Sequence, residues 1–299
     1  MNKHVTYTVV GSHPIDINRQ QLMNTYYKDE SVDWTPYILQ AVDDMLDADL
    51  TMISDGQTRD PFTTLFYRQI KGMRIRARPE VIDTISYDHP ITIVDLTMVR
   101  NHLPKSVKLL GLLPGPFTLA QSCVDLFYHD EQQLAFDFAT VLHQEAEHLN
   151  GLVDMISVDE PCFSTGMPSY AQDLLQKVFK NISCPKRLHV CGNVSSIVPQ
   201  LLDLPVDILS HEFKATPSLL ESFADHACTK QICLGAVRSD HPRVENIDEV
   251  KDHINTAQDI FGDQITQLAP DCGLRFLPRD VARQKLATLV KAGEQIYGR

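Results

Sequence analysis

The chain has 299 residues, 43% of them hydrophobic, enough to bury one large core or two small ones. Its 27 Lys and Arg stand against 39 Asp and Glu, a formal charge of -12 that repels phosphate backbones and anionic lipid, so neither nucleic acid nor a membrane is an expected partner. No run approaches the ~20 apolar residues needed to span a bilayer, the opening MNKHVTYTVV lacks the apolar stretch of a secretion signal, and seven cysteines lack the spacing of a disulfide framework, so the expectation is a cytoplasmic protein with free thiols.

In chain order, short apolar runs rich in β-branched residues alternate with helical stretches, the pattern of parallel strands joined by crossover helices. The first half supplies four such runs: Tyr7 to Ser12, Leu50 to Gly56, Val107 to Gly115 and Asp154 to Pro161. The second half supplies Arg187 to Gly192, Val206 to Glu212, Gln231 to Val237 and Thr266 to Gly273. Between them Leu134, Phe138, Val141, Leu142 and Leu149 share one helical face, which predicts an amphipathic helix over Glu131 to Leu149. Further helices are expected over Thr35 to Asp47, Ser169 to Lys180, Pro217 to Ala227, Ile247 to Phe261 and Pro278 to Tyr297. Eight strand-helix units predict a (β/α)8 TIM barrel, an α/β fold whose usual length is roughly 250 residues. Residues 1–299 are read as one catalytic barrel domain. Part of the excess length is Met73 to Arg100, where RIRARP and ITIVDLTMV read as an inserted hairpin or arm. The basic cluster Arg74 to Pro79 is a solvated arm or a place for a partner to dock.

In such a barrel the functional residues lie at the C-terminal strand ends. Ser12, Asp55, Asp159, Glu160, His189, Cys191, Glu212, Asp240 and Cys272 all fall there. His189 and Cys191 are two apart on a strand, so they face the same side. His-x-Cys alone is a weak signal, because cysteine is often simply buried. Glu212 alone reads as a surface carboxylate and Cys272 alone as a core thiol at a turn. Together at one barrel mouth, an imidazole, two thiolates and a carboxylate make a tetrahedral zinc set.

The segments HVCG, SHEF and APDCGL, in that order and spacing, resemble the catalytic domain of cobalamin-independent methionine synthases over nearly the whole chain. VVGSHP, LPGPFT and SVDEPCF support the likeness. The resemblance implies that His189, Cys191, Glu212 and Cys272 are ligands of Zn2+. It also implies that homocysteine is the methyl acceptor, that Asp159 contacts its amino group, and that Ser12 with adjacent amides holds its carboxylate. Glu160 is either a helper of Asp159 or a buried structural acid. The chemistry fits the ligand set: a free alkyl thiol near pKa ~8.5 is mostly protonated at neutral pH, whereas a metal-bound one is deprotonated. Because four protein ligands would close the site, the hard carboxylate of Glu212 is expected to yield to the soft sulfur of the substrate.

The departures from the family pattern concern the methyl donor. Gln57 stands where the family has a glutamate for the substrate amine, so either binding is weaker or Asp55 compensates. Asp240 stands where the family has a proton-donating histidine, with His241 next to it as a substitute. Ser122 stands where a tryptophan stacks on folate, and the only tryptophan is Trp34. The folate-dependent members also carry a second, N-terminal barrel. These differences lead to an expected donor of methylcobalamin, a methylated corrinoid protein being the cellular partner. Two rivals are a methylcobalamin-dependent transferase acting on another thiol such as coenzyme M, and a non-catalytic zinc-stabilised binding protein. Cys123, Cys162, Cys184, Cys228 and Cys233 are assigned to packing, and no dinucleotide or nucleophilic-serine motif is present.

Overall fold

The computed structural model describes residues 4–18, 20, 23, 32–59 and 61–298. Eight parallel strands follow one another around a barrel in sequence order: β1 (Thr6–Tyr7), β2 (Met52–Ile53), β5 (Lys108–Pro114), β7 (Met155–Asp159), β8 (Lys186–Val190), β9 (Ile208–His211), β10 (Gln231–Val237) and β11 (Ile265–Pro270). Continuous ladders run from β2 through β11 to β1. The seam between β1 and β2 has no ladder; it is closed by Thr51, by Ser54 Oγ donating to the Gly11 carbonyl at 3.1 Å and by the His13 amide donating to the Gly56 carbonyl at 2.9 Å. The Thr51 amide donates to the Tyr7 carbonyl at 3.0 Å, and its Oγ1 accepts from the Tyr7 amide at 2.9 Å. All eight expected strands are present, as is the expected barrel class.

Three helices have the bounds read from periodicity: Thr35–Asp47, Glu131–Leu149 and Ile247–Phe261. The second starts where the Asp130 side chain accepts from the Gln133 amide. The third has a capping box between Asn246 and Glu249, which satisfies amides that a helix start leaves free. Leu134, Phe138, Val141, Leu142 and Leu149 are buried as the pattern requires. Helices Ala171–Val178, Ser218–Ala224 and Arg279–Tyr297 are slightly shorter than expected. Among the described residues no helix is long and apolar enough to cross a membrane.

The insertion is a hairpin, but a shorter one than residues 73–100. β3 (Lys71–Ile75) pairs antiparallel with β4 (Pro79–Ser86), and β4 also pairs with the short β6 (Val124–Asp125). The expected second half of the arm, ITIVDLTMV, is instead the crossover helix Ile93–His102 before β5. Its β-branched run resembles a strand, but tertiary contacts decide. Asp95 and Leu96 are buried against the barrel, and Arg59 donates to both Asp95 carboxylate oxygens. The arm is tied down where the fully buried Glu145 accepts from Tyr87 Oη, the Ile91 and Thr92 amides and Thr92 Oγ1. Arg76 and Arg78 stand exposed at the hairpin tip, whereas Arg74 is paired with Glu80.

Two apolar clusters hold the fold. The larger lies between strands and outer helices. The smaller fills the barrel interior with Val10, Met52, Leu110, Leu112, Met155, Ile208, Cys233 and Ala269. Burying each large aliphatic side chain contributes about 1.5–3 kcal/mol. Amid this inner cluster sits Arg187, fully buried.

Candidate functional site

The C-terminal ends of the strands open into a cavity of about 310 Å³, whose lining includes Ser12, Gln57, Asp159, His189, Cys191, Glu212, Asp240 and Cys272. All eight expected site residues other than His241 line it, and the closing of the barrel brings them together from seven different segments spread from Ser12 to Cys272.

At the floor, His189 Nε2 lies 3.0 Å from Cys191 Sγ, and Cys191 Sγ lies 2.9 Å from Cys272 Sγ. The ligand atoms of these three residues all lie within 4.8 Å of one another. His189 Nδ1 meets Ser210 Oγ at 3.0 Å, which fixes the ring and leaves Nε2 facing the thiols. The hydrogen bond from Cys191 holds the Cys272 thiol well below its usual range, with His189 adding to the effect, and the same contact pushes Cys191 up. The donor set therefore fits zinc: one imidazole nitrogen and two sulfurs, one already biased to thiolate, converge on one point.

Glu212 lines the same cavity but does not join this trio, so the expected set of four is gathered as three plus one. Burial and the nearby Cys272 push its carboxyl up, opposed by a hydrogen bond from the Gly192 backbone. Asp271 fixes the loop beyond it by accepting from the Lys214 and Ala215 amides.

Asp159 is buried on the wall, accepts from Ser157 Oγ at 3.2 Å, and is pushed up to about 6 by burial, opposed by His189 and Arg187. Glu160 belongs elsewhere. It is fully buried and accepts from the Phe117 and Thr118 amides and from Thr118 Oγ1, at the start of helix Pro116–Ser122. Its bonds anchor the start of that helix. Ser12 is set by a 2.7 Å bond from the Leu274 amide to its carbonyl. A Cβ at Gly273 would stand 2.2 Å from Ser12 Oγ, so a side chain there would force the serine hydroxyl to move. Gln57 has φ +46, a left-handed conformation that a side chain rarely adopts, and reaches across the seam to Gly11. Asp55 faces a smaller adjoining cavity with Arg59 and Asp95.

The expected proton-handling pair divides. Asp240 lines the cavity, yet Arg238 donates to both its oxygens at 2.8 and 2.6 Å and holds it below the usual carboxylate range. His241 is exposed, outside the cavity lining, and accepts from the Arg243 amide. His211 faces away from the ligands, donating to the Val190 carbonyl among Phe213 and Phe223. The five cysteines assigned to packing take no part in the cluster.

Three features were missed. Phe62 and the almost fully exposed Phe276 form an aromatic rim, and exposure is not written in a sequence. Arg187 had a signal: the strand period that aligns His189 with Cys191 also aligns Arg187 beneath them.

Known proteins resemble this chain in sequence and in fold. A family described as cobalamin-independent synthase, catalytic domain, matches residues 5–295. A methionine synthase of Methanocaldococcus jannaschii is 31% identical over 97% of this chain and 98% of its own. Another from Methanothermobacter marburgensis is 32% identical over 96% and 99%. In fold, the chain is similar to a B12-independent methionine synthase from Shewanella sp. W3-18-1, solved in complex with selenomethionine, with TM-score 0.81 and 22% identity over 98% and 97% of the two chains. The family description gives no support to the expected methylcobalamin or corrinoid-protein donor. The chain belongs to the cobalamin-independent methionine synthase family and is an enzyme of its methyltransferase class.

Proposed function

We propose that this protein makes methionine by transferring a methyl group to the sulfur of homocysteine, with zinc held by His189, Cys191, Cys272 and Glu212. The observation that carries this reading is the convergence of the first three ligand atoms within 4.8 Å beside Glu212 and Asp159. The selenomethionine in the Shewanella neighbour supports it, because that molecule has the shape of the product. Zinc bound there would keep the substrate sulfur deprotonated at neutral pH. A new sulfur–carbon bond then forms as the donor–carbon bond breaks, its electron pair staying on the donor.

The chain's own residues do the rest, acting together as one catalytic barrel over residues 1–299. Asp159 accepts the substrate ammonium, where opposite charge and hydrogen bonding reinforce each other. Ser12 and neighbouring amides hold the carboxylate. Gln57 supplies a neutral amide to the amino group, and Glu212, which stands apart from the His189, Cys191 and Cys272 trio, would be the ligand to yield to the incoming sulfur. As proton sources for the departing donor Asp240 and His241 are poorly placed: Asp240 lines the cavity but Arg238 holds it in the ionised form, and His241 stands outside the lining.

That ion pair favours a second reading of the donor alone: a methylated corrinoid would hand its methyl group to the sulfur and leave demethylated, keeping the electron pair and needing no proton. The family's description weighs against it. The test is to give zinc-loaded protein homocysteine with methyltetrahydrofolate or methylcobalamin in separate assays and to measure methionine. Methionine from either donor supports the reading and identifies the donor. No methionine from either, together with a zinc that homocysteine never perturbs and whose chelation unfolds the chain, points to the zinc-stabilised binding protein instead. Turnover with coenzyme M in preference to homocysteine would move the acceptor to another thiol.

A further inference from the structure

Arg187 lies within the barrel, fully buried, one pleat below His189. A guanidinium carries five N–H donors, and all five have partners here. Nε donates to Ser157 Oγ at 3.1 Å, Nη1 to Gln267 Oε1 at 3.3 Å and Cys233 Sγ at 3.7 Å, and Nη2 to the Val9 and Val10 carbonyls at 3.0 and 3.3 Å. None of these partners is a carboxylate. A buried charge without an ionic partner is strongly unfavourable unless its surroundings compensate. The described residues offer that compensation just above, where Ser157 passes a hydrogen bond to Asp159, the carboxylate that the Arg187 charge acts on.

The partners also have a pattern. Ser157 leads to Asp159 on the same strand, the Val9 and Val10 carbonyls lead directly into Gly11 and Ser12, and Arg187 itself shares a strand face with His189 and Cys191. One side chain thus spans the three segments that hold the amino group, the carboxylate and the metal.

We infer that Arg187 is a positioning residue for the amino-acid end of the substrate, aligning Asp159 through Ser157, and Ser12 through the β1 carbonyls, against the metal ligands. This rests on the proposed homocysteine reading. Lysine at this position keeps the charge but has a single ammonium, which cannot reach Ser157, Gln267 and both carbonyls in the fixed fork of arginine. Ser157→Ala removes only the link to Asp159 and leaves the guanidinium in place.

The test is calorimetric binding to zinc-loaded protein, with two probes: homocysteine and 4-mercaptobutanoate, which is homocysteine without its amino group. Zinc content and melting temperature are measured alongside. Ser157→Ala and Arg187→Lys are expected to weaken homocysteine about tenfold while zinc content is retained. Ser157→Ala should leave 4-mercaptobutanoate unchanged, because the lost link serves the ammonium. Equal weakening of both probes by Ser157→Ala, or no weakening of homocysteine, overturns the inference and leaves Arg187 a structural strut. Wild-type protein that binds neither probe overturns the homocysteine reading itself, a result distinguishable from the first two. If Arg187→Lys does not fold, Ser157→Ala alone decides.

Discussion

The two ends of the barrel both carry cavities, and they differ in chemistry more than in size. At the N-terminal strand ends a cavity of about 500 Å³ is lined by Lys108, Asp154, Lys186, Asp207 and Gln231 among others. Its charges are in ordinary service. Asp154 pairs with Arg100 and accepts from the Leu109 amide, and Asp207 accepts from the Lys186 amide at 2.8 Å. Each carboxylate fastens the start of the neighbouring strand. At the other end the smaller cavity of about 310 Å³ has a buried imidazole, two touching thiols, a buried carboxylate and a glutamine in a left-handed backbone. Volume does not distinguish a functional mouth from a structural one; unneutralised and strained groups do.

Cys272→Ser should break this contrast most severely, since it removes a ligand from the functional end. Zinc per chain, measured by atomic absorption, and methionine formation should fall together by at least roughly 100-fold, with the circular-dichroism spectrum kept. Full zinc retention would remove Cys272 from the ligand set. The opposite end supplies the control: Asp207→Ala deletes one exposed hydrogen bond, so it should lower stability by about 1 kcal/mol, or roughly 2–4 °C in melting temperature. Turnover should be unaffected. A loss of activity matching that of Cys272→Ser would mean that the two ends are not separate.

A further effect concerns neither end but the outer wall. Burial pushes the Asp44 carboxyl up, but hydrogen bonds from His13 and Arg279 outweigh this and hold it at about 2. Its folded value lies below the unfolded one of about 3.9, so ionised Asp44 stabilises the fold above about pH 4. That contribution is lost as pH falls toward 2. Asp44→Asn should therefore flatten the fall of melting temperature with acid, and identical slopes for the two proteins would contradict it.

The wall was more legible in the sequence than the mouth. Apolar periods of two and of 3.6 residues are local, so all eight strands were found, and three helices to the residue. Ile93–His102 was misread as arm because its β-branched run is strand-like locally, while the ion pair that seats it joins Arg59 to Asp95 across 36 residues. The thiol and imidazole trio could be anticipated because its residue types carry their chemistry with them. The standing of Glu212 apart from that trio, the lock of Arg238 on Asp240 and the exposure of Phe276 depend on loop paths, which no period encodes.

The seam between β1 and β2 has a mechanical consequence. Both strands are two residues long and are joined by the Thr51 bonds, by Ser54 Oγ donating to the Gly11 carbonyl and by the His13 amide donating to the Gly56 carbonyl, whereas β7 through β11 have four to seven residues each and are stitched by ladders. Fewer shared hydrogen bonds mean lower local stability. His189, Cys191, Glu212 and Cys272 are mounted on the stiff half of the ring, and Ser12 and Gln57 on the compliant half. The ring is therefore stiffest under His189, Cys191, Cys272 and Asp159, and more compliant under Ser12 and Gln57.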